Sequence, residues 1–374
     1  MIDPVKLTVE LIARDTRVPE GNKGQSIQAL QMLLENAGFS CHSVDLAPGR
    51  PNLVARLDPA NTGRPAIAFT GHLDVVPLGE APWTRQPFAG EIEAGRLYGR
   101  GASDMKSGVA AIVAAALRHA REGGEAPVEI VLTSAEEVGL EGAKVLADRP
   151  GALGRAAALV VAEPTANRPA FGNRGNLWLD VHFKGKTAHA SEPEKGRNAL
   201  LAACLAAERF AAYDFGGARH PLLGRSTVNV AIMRAGANYN SVPDRARLGL
   251  DMRLLPGTDI DALLVELAGL AGPDASLEEI IRLPGSWTEP TDPWMASAIG
   301  IAAGITGAND VMGAVPFNTD GSLLAPAYGG IPSLILGPGE PGQAHQTDEW
   351  CEVARIEEAA AIYLELMRRF TPPG

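Results

Sequence analysis

The chain has 374 residues, 46% of them apolar and 5% aromatic, with a formal net charge of −11. That length exceeds one ordinary hydrophobic core and suits two domains. The acidic balance argues against nucleic acid as a partner, and no apolar run reaches the ~20 residues that span a bilayer. The three cysteines, Cys41, Cys204 and Cys351, are odd in number and far apart. They form neither a disulfide framework nor a C-x-x-C zinc motif, and they fit a reducing cytoplasm. No charged head and apolar stretch opens the chain, so a signal peptide is not expected.

Asp3 is a helix cap for a first helix carrying Leu7, Val9, Leu11 and Ile12. Residues 19–22 read as a loop. A second helix is expected from Gln25 to Asn36, ended by Gly38. Val44 and the stretch Asn52–Leu57 are strand candidates. The apolar run Ala66–Thr70 reads as a buried parallel strand, and it delivers Gly71, His72, Leu73 and Asp74 at its end. Residues 82–95 read as a long loop. It leads to Leu97-Tyr98-Gly99-Arg100-Gly101-Ala102-Ser103-Asp104-Met105-Lys106. Gly99 and Gly101 begin like a dinucleotide loop, but Asp104 stands where the third glycine belongs, which rules that fingerprint out. An Ala-rich, buried helix follows from Ser107 to His119, with His119 expected as a solvated terminal cation.

Two more apolar strands, Val128–Thr133 and Ala157–Val161, end in acids: Glu136-Glu137 after the first, Glu163 after the second. Successive side chains on extended backbone face opposite ways. Adjacent carboxylates therefore suit a division of labour, one on a metal and one free to carry a proton. Three consecutive buried strands thus hand an acid or a histidine to one edge, where open α/β sheets carry their working groups.

From Gly175 the pattern alternates, with Leu177, Leu179, Val181 and Phe183 on one face, as in a half-exposed antiparallel sheet. A helix over 198–213, strands over 227–233 and 247–254, a helix over 259–270 and a strand over 277–283 follow. This βαββαβ order is a ferredoxin-like unit. Residues 177–286 are therefore expected as a domain inserted into one formed by residues 1–176 and 287–374. The chain returns with a helix over 294–304, a buried strand over 332–336, a loop containing His345, and a last helix from Val353 to Arg369. The expected fold class is α/β: a mostly parallel, helix-flanked domain with an inserted α+β domain.

His72, Asp104, Glu137, Glu163 and His345 all fall in loops at strand or helix ends of the first domain. Two imidazoles and three carboxylates suit two closely spaced zinc ions with one carboxylate bridging. Five stretches carry a resemblance: Gly71 to Pro77, Leu97 to Lys106, Thr133 to Glu137, Ala162 to Thr165, and Ala344 to Glu349. In this order they resemble the zinc amidohydrolases that include acetylornithine deacetylase, succinyl-diaminopimelate desuccinylase, carboxypeptidase G and aminoacylase-1. The resemblance implies that His72 and Glu163 bind one zinc, Glu137 and His345 the other, and that Asp104 bridges them. It implies that Asp74 orients His72 and that Glu136 is the general base and acid. In the insert, Gly185 to Ala190 resembles the segment whose histidine, here His189, reaches the neighbouring active site of a homodimer. Asn240 and Arg253 match substrate-binding positions, Arg253 on a carboxylate. Two positions depart from the family's habit: Ala135, often Asp, and Ala162, often Gly. Neither removes a ligand. The expected activity is removal of the acyl group from a small N-acyl amino acid, with Co2+ or Mn2+ as alternatives to zinc. The rival readings are a dipeptidase or carboxypeptidase on the same scaffold and a metal-binding protein without turnover. Neither G-x-S-x-G nor H-E-x-x-H occurs, which excludes serine-hydrolase and thermolysin-like chemistry.

Overall fold

The computed structural model describes residues 2–18, 24–59, 61 and 63–371. The loop expected over residues 19–22 lies outside them. The chain divides into two units. One is Met1–Gly172 with Trp287–Val315 and Thr319–Gly374, and the other is Asn173–Ser286 with Pro316–Asn318.

The first unit is built on a nine-stranded sheet among the described residues. Its centre is parallel, in the order Val128–Thr133, Ala66–His72, Ala156–Val161 and Ser333–Ile335. Antiparallel strands extend it, Arg50–Leu57 and Ser40–Ala47 on one side and Ala170–Asn173 on the other. The Ala66–His72 strand is buried at every residue, as a parallel strand covered by helices must be. Its Phe69 meets Tyr363 of the last helix edge-on, with ring centroids 5.5 Å apart. Both rings belong to a cluster that also holds Leu30, Val113, Ile130, Val160 and Met295.

Local signals set the helix ends. Asp3 accepts hydrogen bonds from the Val5 and Lys6 amides, and Pro4 fills the first helical position of Pro4–Ile12. Gly38, at φ +92°, follows the end of Gly24–Asn36 in a conformation that glycine adopts freely. Lys106 opens the helix Lys106–Arg121 and is wholly buried. Its Nζ donates to the Leu11 and Arg14 carbonyls, each at 2.9 Å, at the C-terminal end of the first helix. Burial pushes its ammonium down to about 7.

Two expectations are corrected here. The long loop over 82–95 contains the strand Glu91–Glu93, which joins Arg96–Tyr98 and Trp350–Glu352 in a small separate sheet. His119 is not a solvated cation. It is buried, its Nε2 lies 3.1 Å from the Ala126 carbonyl, and burial lowers its pKa.

The second unit is a four-stranded antiparallel sheet in the order Thr227–Ala235, Arg245–Leu254, Gly175–Lys184 and Ala275–Leu283. The helices Ala199–Ala211 and Ile260–Ala271 contribute Ala203, Phe210, Leu263 and Leu267 to its core, against Leu177, Leu179, Val181 and Phe183. Asn198 and Asp259 cap these two helices.

Phe69→Ala removes a ring that touches both sheet and last helix without reaching the strand's polar tip. It is expected to destabilise the first unit by about 3–5 kcal/mol, read as a lower urea midpoint. An unchanged midpoint would contradict this assignment of the core.

Candidate metal centre

The sheet brings the five expected ligands together. His72 closes its strand, Glu137 follows Val128–Thr133, Glu163 follows Ala156–Val161, and Asp104 stands one residue before the capping Met105 of the buried helix. His345 comes from a loop with φ +65°. The His72 Nδ1 lies 2.9 Å from the Asp74 carbonyl. A carbonyl only accepts, so this contact assigns the proton to Nδ1 and leaves the Nε2 lone pair facing the site. That Nε2 is 3.1 Å from Asp104 Oδ1, 3.7 Å from Glu163 Oε1 and 3.9 Å from Glu136 Oε2. The His345 Nε2 is 3.0 Å from Glu137 Oε2 and 3.4 Å from Asp104 Oδ2. The two oxygens of Asp104 therefore face two different imidazoles.

Two ligand groups result, His72–Asp104–Glu163 and Asp104–Glu137–His345, each with its donor atoms within 4.8 Å of one another. The chemistry of the set fits divalent cations. The carboxylates are crowded and the donors are nitrogen and oxygen. Glu137 Oε1 is moreover a buried oxygen without a hydrogen-bond partner. A third group, Asp180–His182–Glu278, lies on the open face of the second unit's sheet. There Arg247 already pairs with Asp180 at 3.2 Å.

Asp74 does more than contact His72. Its carboxylate lies 3.8 Å from the imidazole but accepts the Glu136 amide at 3.2 Å and the Glu137 amide at 3.1 Å. One buried carboxylate thus holds the backbone of the acid pair. Ala135, just before the pair, sits at φ +66°, a turn that costs a non-glycine residue energy and re-aims the two acids. Asp320 is a sixth carboxylate that sequence reasoning missed. It is buried, accepts from the Thr133 hydroxyl at 2.5 Å, and keeps Oδ1 unpartnered. No sequence signal marks it, because it precedes a short helix, Gly321–Ala327, that the apolar pattern does not reveal.

Electrostatics follow from the crowding. Burial pushes the Glu136 and Glu163 carboxyls well up, and neighbouring carboxylates add to it. Burial, together with Asp104, also raises Glu137. Asp320 is pushed up to about 6, chiefly by burial. Burial alone would lower His72, but the Asp104 hydrogen bond and the surrounding acids raise it well above its usual value. Hydrogen bonds to Asp104 and Glu137 lift His345 to about 10. Without cations, the two imidazoles are the cations nearest these acids among the described residues.

The substrate residues expected from the resemblance lie in the second unit. Residues 188–190 run beside 240–242: a bridge pairs His189 with Ser241, and the Ala190 amide donates to the Asn240 carbonyl. His189 and Asn240 are therefore neighbours, both exposed, with His189 Nδ1 2.7 Å from the Ser191 hydroxyl. Arg253 is held by Asp251, with Nε to Oδ1 at 3.0 Å and Nη2 to Oδ2 at 3.1 Å.

A parallel sheet that gathers histidines and acids at its strand ends defines a metallohydrolase architecture. The model of Peptidase family M20/M25/M40 matches residues 68–369, and the chain belongs to that family. It is a metal-dependent hydrolase of amide bonds. It is 31% identical over 394 residues to succinyl-diaminopimelate desuccinylase of Cereibacter sphaeroides, covering 99% of each chain. It is 31% identical to acetylornithine deacetylase of Myxococcus xanthus, covering 96% of each. The fold matches Bacillus subtilis YXEP, a dinuclear metal-binding peptidase of family M20, with a TM-score of 0.73 at 16% identity, covering 98% of this chain and 96% of that one. Among the described residues, no helix is long and apolar enough to cross a membrane.

The raised pKa of His345 predicts a pH signature in metal-free protein. A group whose folded pKa exceeds its unfolded one stabilises the fold below the unfolded value and loses that contribution as pH rises through the folded one. In chelator, the stability advantage of wild type over His345→Gln should be full below pH 6.5 and vanish through about pH 10. An advantage that is constant over this range would contradict the contacts with Asp104 and Glu137.

Proposed function

We propose that this chain is a dinuclear deacylase that releases the acyl group of a small N-acyl amino acid, of the desuccinylase or deacetylase type. Two zinc ions are the proposed cofactors, although cobalt or manganese suits the same donors. The observation that carries this reading is the Asp104 carboxylate set between two imidazoles, each group completed by a further buried glutamate. The full-length similarity to two enzymes named for deacylation supports the substrate class.

The proposed roles follow the geometry. His72 and Glu163 would hold one cation, Glu137 and His345 the other, and Asp104 would serve both. The cation pair, when bound, supplies Lewis acidity and a water acidified towards neutral pH. Glu136 takes the proton of the attacking water and returns it to the leaving nitrogen. Its buried position next to His72 suits a proton carrier, because burial favours the protonated form and nearby cations the charged form. Asp74 fixes both Glu136 and Glu137 through their amides. His189 is proposed to steady the developing oxyanion across a dimer, and Asn240 and Arg253 to bind the substrate.

The homodimer is proposed to form through the second unit, residues 177–286 by the sequence boundaries. Supporting it, Thr227–Ala235 is an edge strand among the described residues and exposes Ile232 and Met233. The nearby helix Ala199–Ala211 exposes Leu201 by 60% and Leu205 by 56%. A cytoplasmic location is proposed from three unpaired cysteines. A second reading, a peptidase on the same scaffold, is favoured by the similarity in fold to YXEP.

Glu136→Gln should lower kcat by about 10²–10⁴-fold while the protein still binds two metal equivalents. Loss of metal instead would exchange the roles of Glu136 and Glu137. A panel of acetyl-, succinyl- and formyl-amino acids beside dipeptides separates the two readings, and cleavage of dipeptides alone would overturn deacylation. A monomer in gel filtration would overturn the dimer.

A further inference from the structure

Neither ligation nor proton transfer uses Glu349, yet this buried carboxylate has every acceptor position directed at the loop that carries Asp104. Its Oε1 accepts the Ser103 amide at 2.8 Å and the Asp104 amide at 3.0 Å. Its Oε2 accepts the Gly101 amide at 3.0 Å and Arg100 Nη1 at 2.7 Å. The Gly99 amide donates to its main-chain carbonyl at 2.9 Å. Residues 99–105 form turns and bends without a ladder of their own. Buried amides need acceptors, and for those of Gly101, Ser103 and Asp104 one side chain supplies them.

Glu349 stands four residues after His345 in the same loop. The carboxylate therefore ties the segment bearing Asp104 to the segment bearing His345. Two residues of the loop reinforce the tie. The Ser103 hydroxyl donates to the Trp350 carbonyl at 2.7 Å and accepts the Glu340 amide at 2.9 Å. Arg100, itself buried, also donates to the Gln346 and Pro77 carbonyls at 3.2 Å each. Gly101, at φ +87°, lets the loop pass against Val75, where a Cβ would meet a methyl carbon at 2.8 Å.

We infer that Glu349 is a positioning residue for the cation pair. It sets the separation of Asp104 and His345, so the cation shared by Asp104, Glu137 and His345 depends on it more than the cation on His72, Asp104 and Glu163. This inference rests on the two-cation reading above. The competing account treats Glu349 and Arg100 as a buried ion pair that serves stability alone. The two accounts differ because Glu349 holds the Asp104 amide itself, whereas Arg100, beside its charge, reaches only the carbonyls of Gln346 and Pro77 and no ligand residue.

The test titrates metal-free protein with Co2+ alone and follows the visible absorption and the heat of binding, with the apo thermal midpoint measured beside them. Wild type should take up two equivalents. Glu349→Gln keeps one acceptor oxygen and turns an amide NH2 towards existing donors. It should retain one tight equivalent and bind the second about 10–100-fold more weakly. Arg100→Met should lower the thermal midpoint yet retain both equivalents. If Glu349→Gln does not fold, Glu349→Asp keeps the charge and withdraws the oxygens by one methylene, and the same weakening is expected. Two equivalents at wild-type affinity in the Glu349 variants would overturn the inference, as would equal loss of the second ion in Arg100→Met. A wild type that binds fewer than two equivalents would overturn the two-cation reading and this inference with it.

Discussion

Six carboxylates, those of Asp74, Asp104, Glu136, Glu137, Glu163 and Asp320, crowd around two imidazoles in one largely buried place, and the first unit is arranged to hold them there. Two like charges 4 Å apart repel by about 4 kcal/mol at the effective dielectric of a protein site. Hydrogen bonds relieve part of this: Asp74 is spent on two amides, and Asp320 on a hydroxyl. Metal-free, burial above all pushes Glu136 and Glu163 up, their carboxylate neighbours add to it, and the same acids raise His72 and His345. Divalent cations reverse that logic, since they favour charged carboxylates and neutral imidazoles.

Such an arrangement needs a rigid frame. The parallel strands supply it, because each is buried and hydrogen-bonded on both sides and ends at the same edge. The ligands that do not sit on strand ends are held by other means. Asp104 precedes a helix N-terminus, where the aligned peptide dipoles favour a negative charge, and its loop is fastened to a second buried acid. His345 is the most exposed of the ligands and depends on its loop. The frame is therefore strongest on the His72 side and most dependent on cross-ties on the His345 side.

Much of this is legible in the chain. Continuous apolar runs predict the buried parallel strands, and caps such as Asp3, Asn198 and Asp259 stand where helices begin. Alternation over Leu177 to Phe183 predicts the half-buried strand of the second unit. The acids and histidines at strand ends are visible as motifs. What is not legible depends on partners distant in sequence. Nothing local shows that His119 turns inward to a carbonyl, or that Lys106 caps a helix 92 residues earlier. Arg96–Tyr98 pairs with its neighbour Glu91–Glu93, but its second partner, Trp350–Glu352, comes from far along the chain. Asp320 follows no recognisable strand. The spacing of Asp74 makes it a companion of His72, whereas its shorter contacts are to the amides of Glu136 and Glu137, 62 and 63 residues further on.

The central claim is a pair of cations joined by one carboxylate, and anomalous X-ray scattering from zinc-loaded crystals tests it most directly. The account predicts two peaks per chain about 3.5–4 Å apart, with the side chain of residue 104 between them and the imidazoles of residues 72 and 345 on opposite peaks. A single peak, or two that do not share that carboxylate, would contradict it.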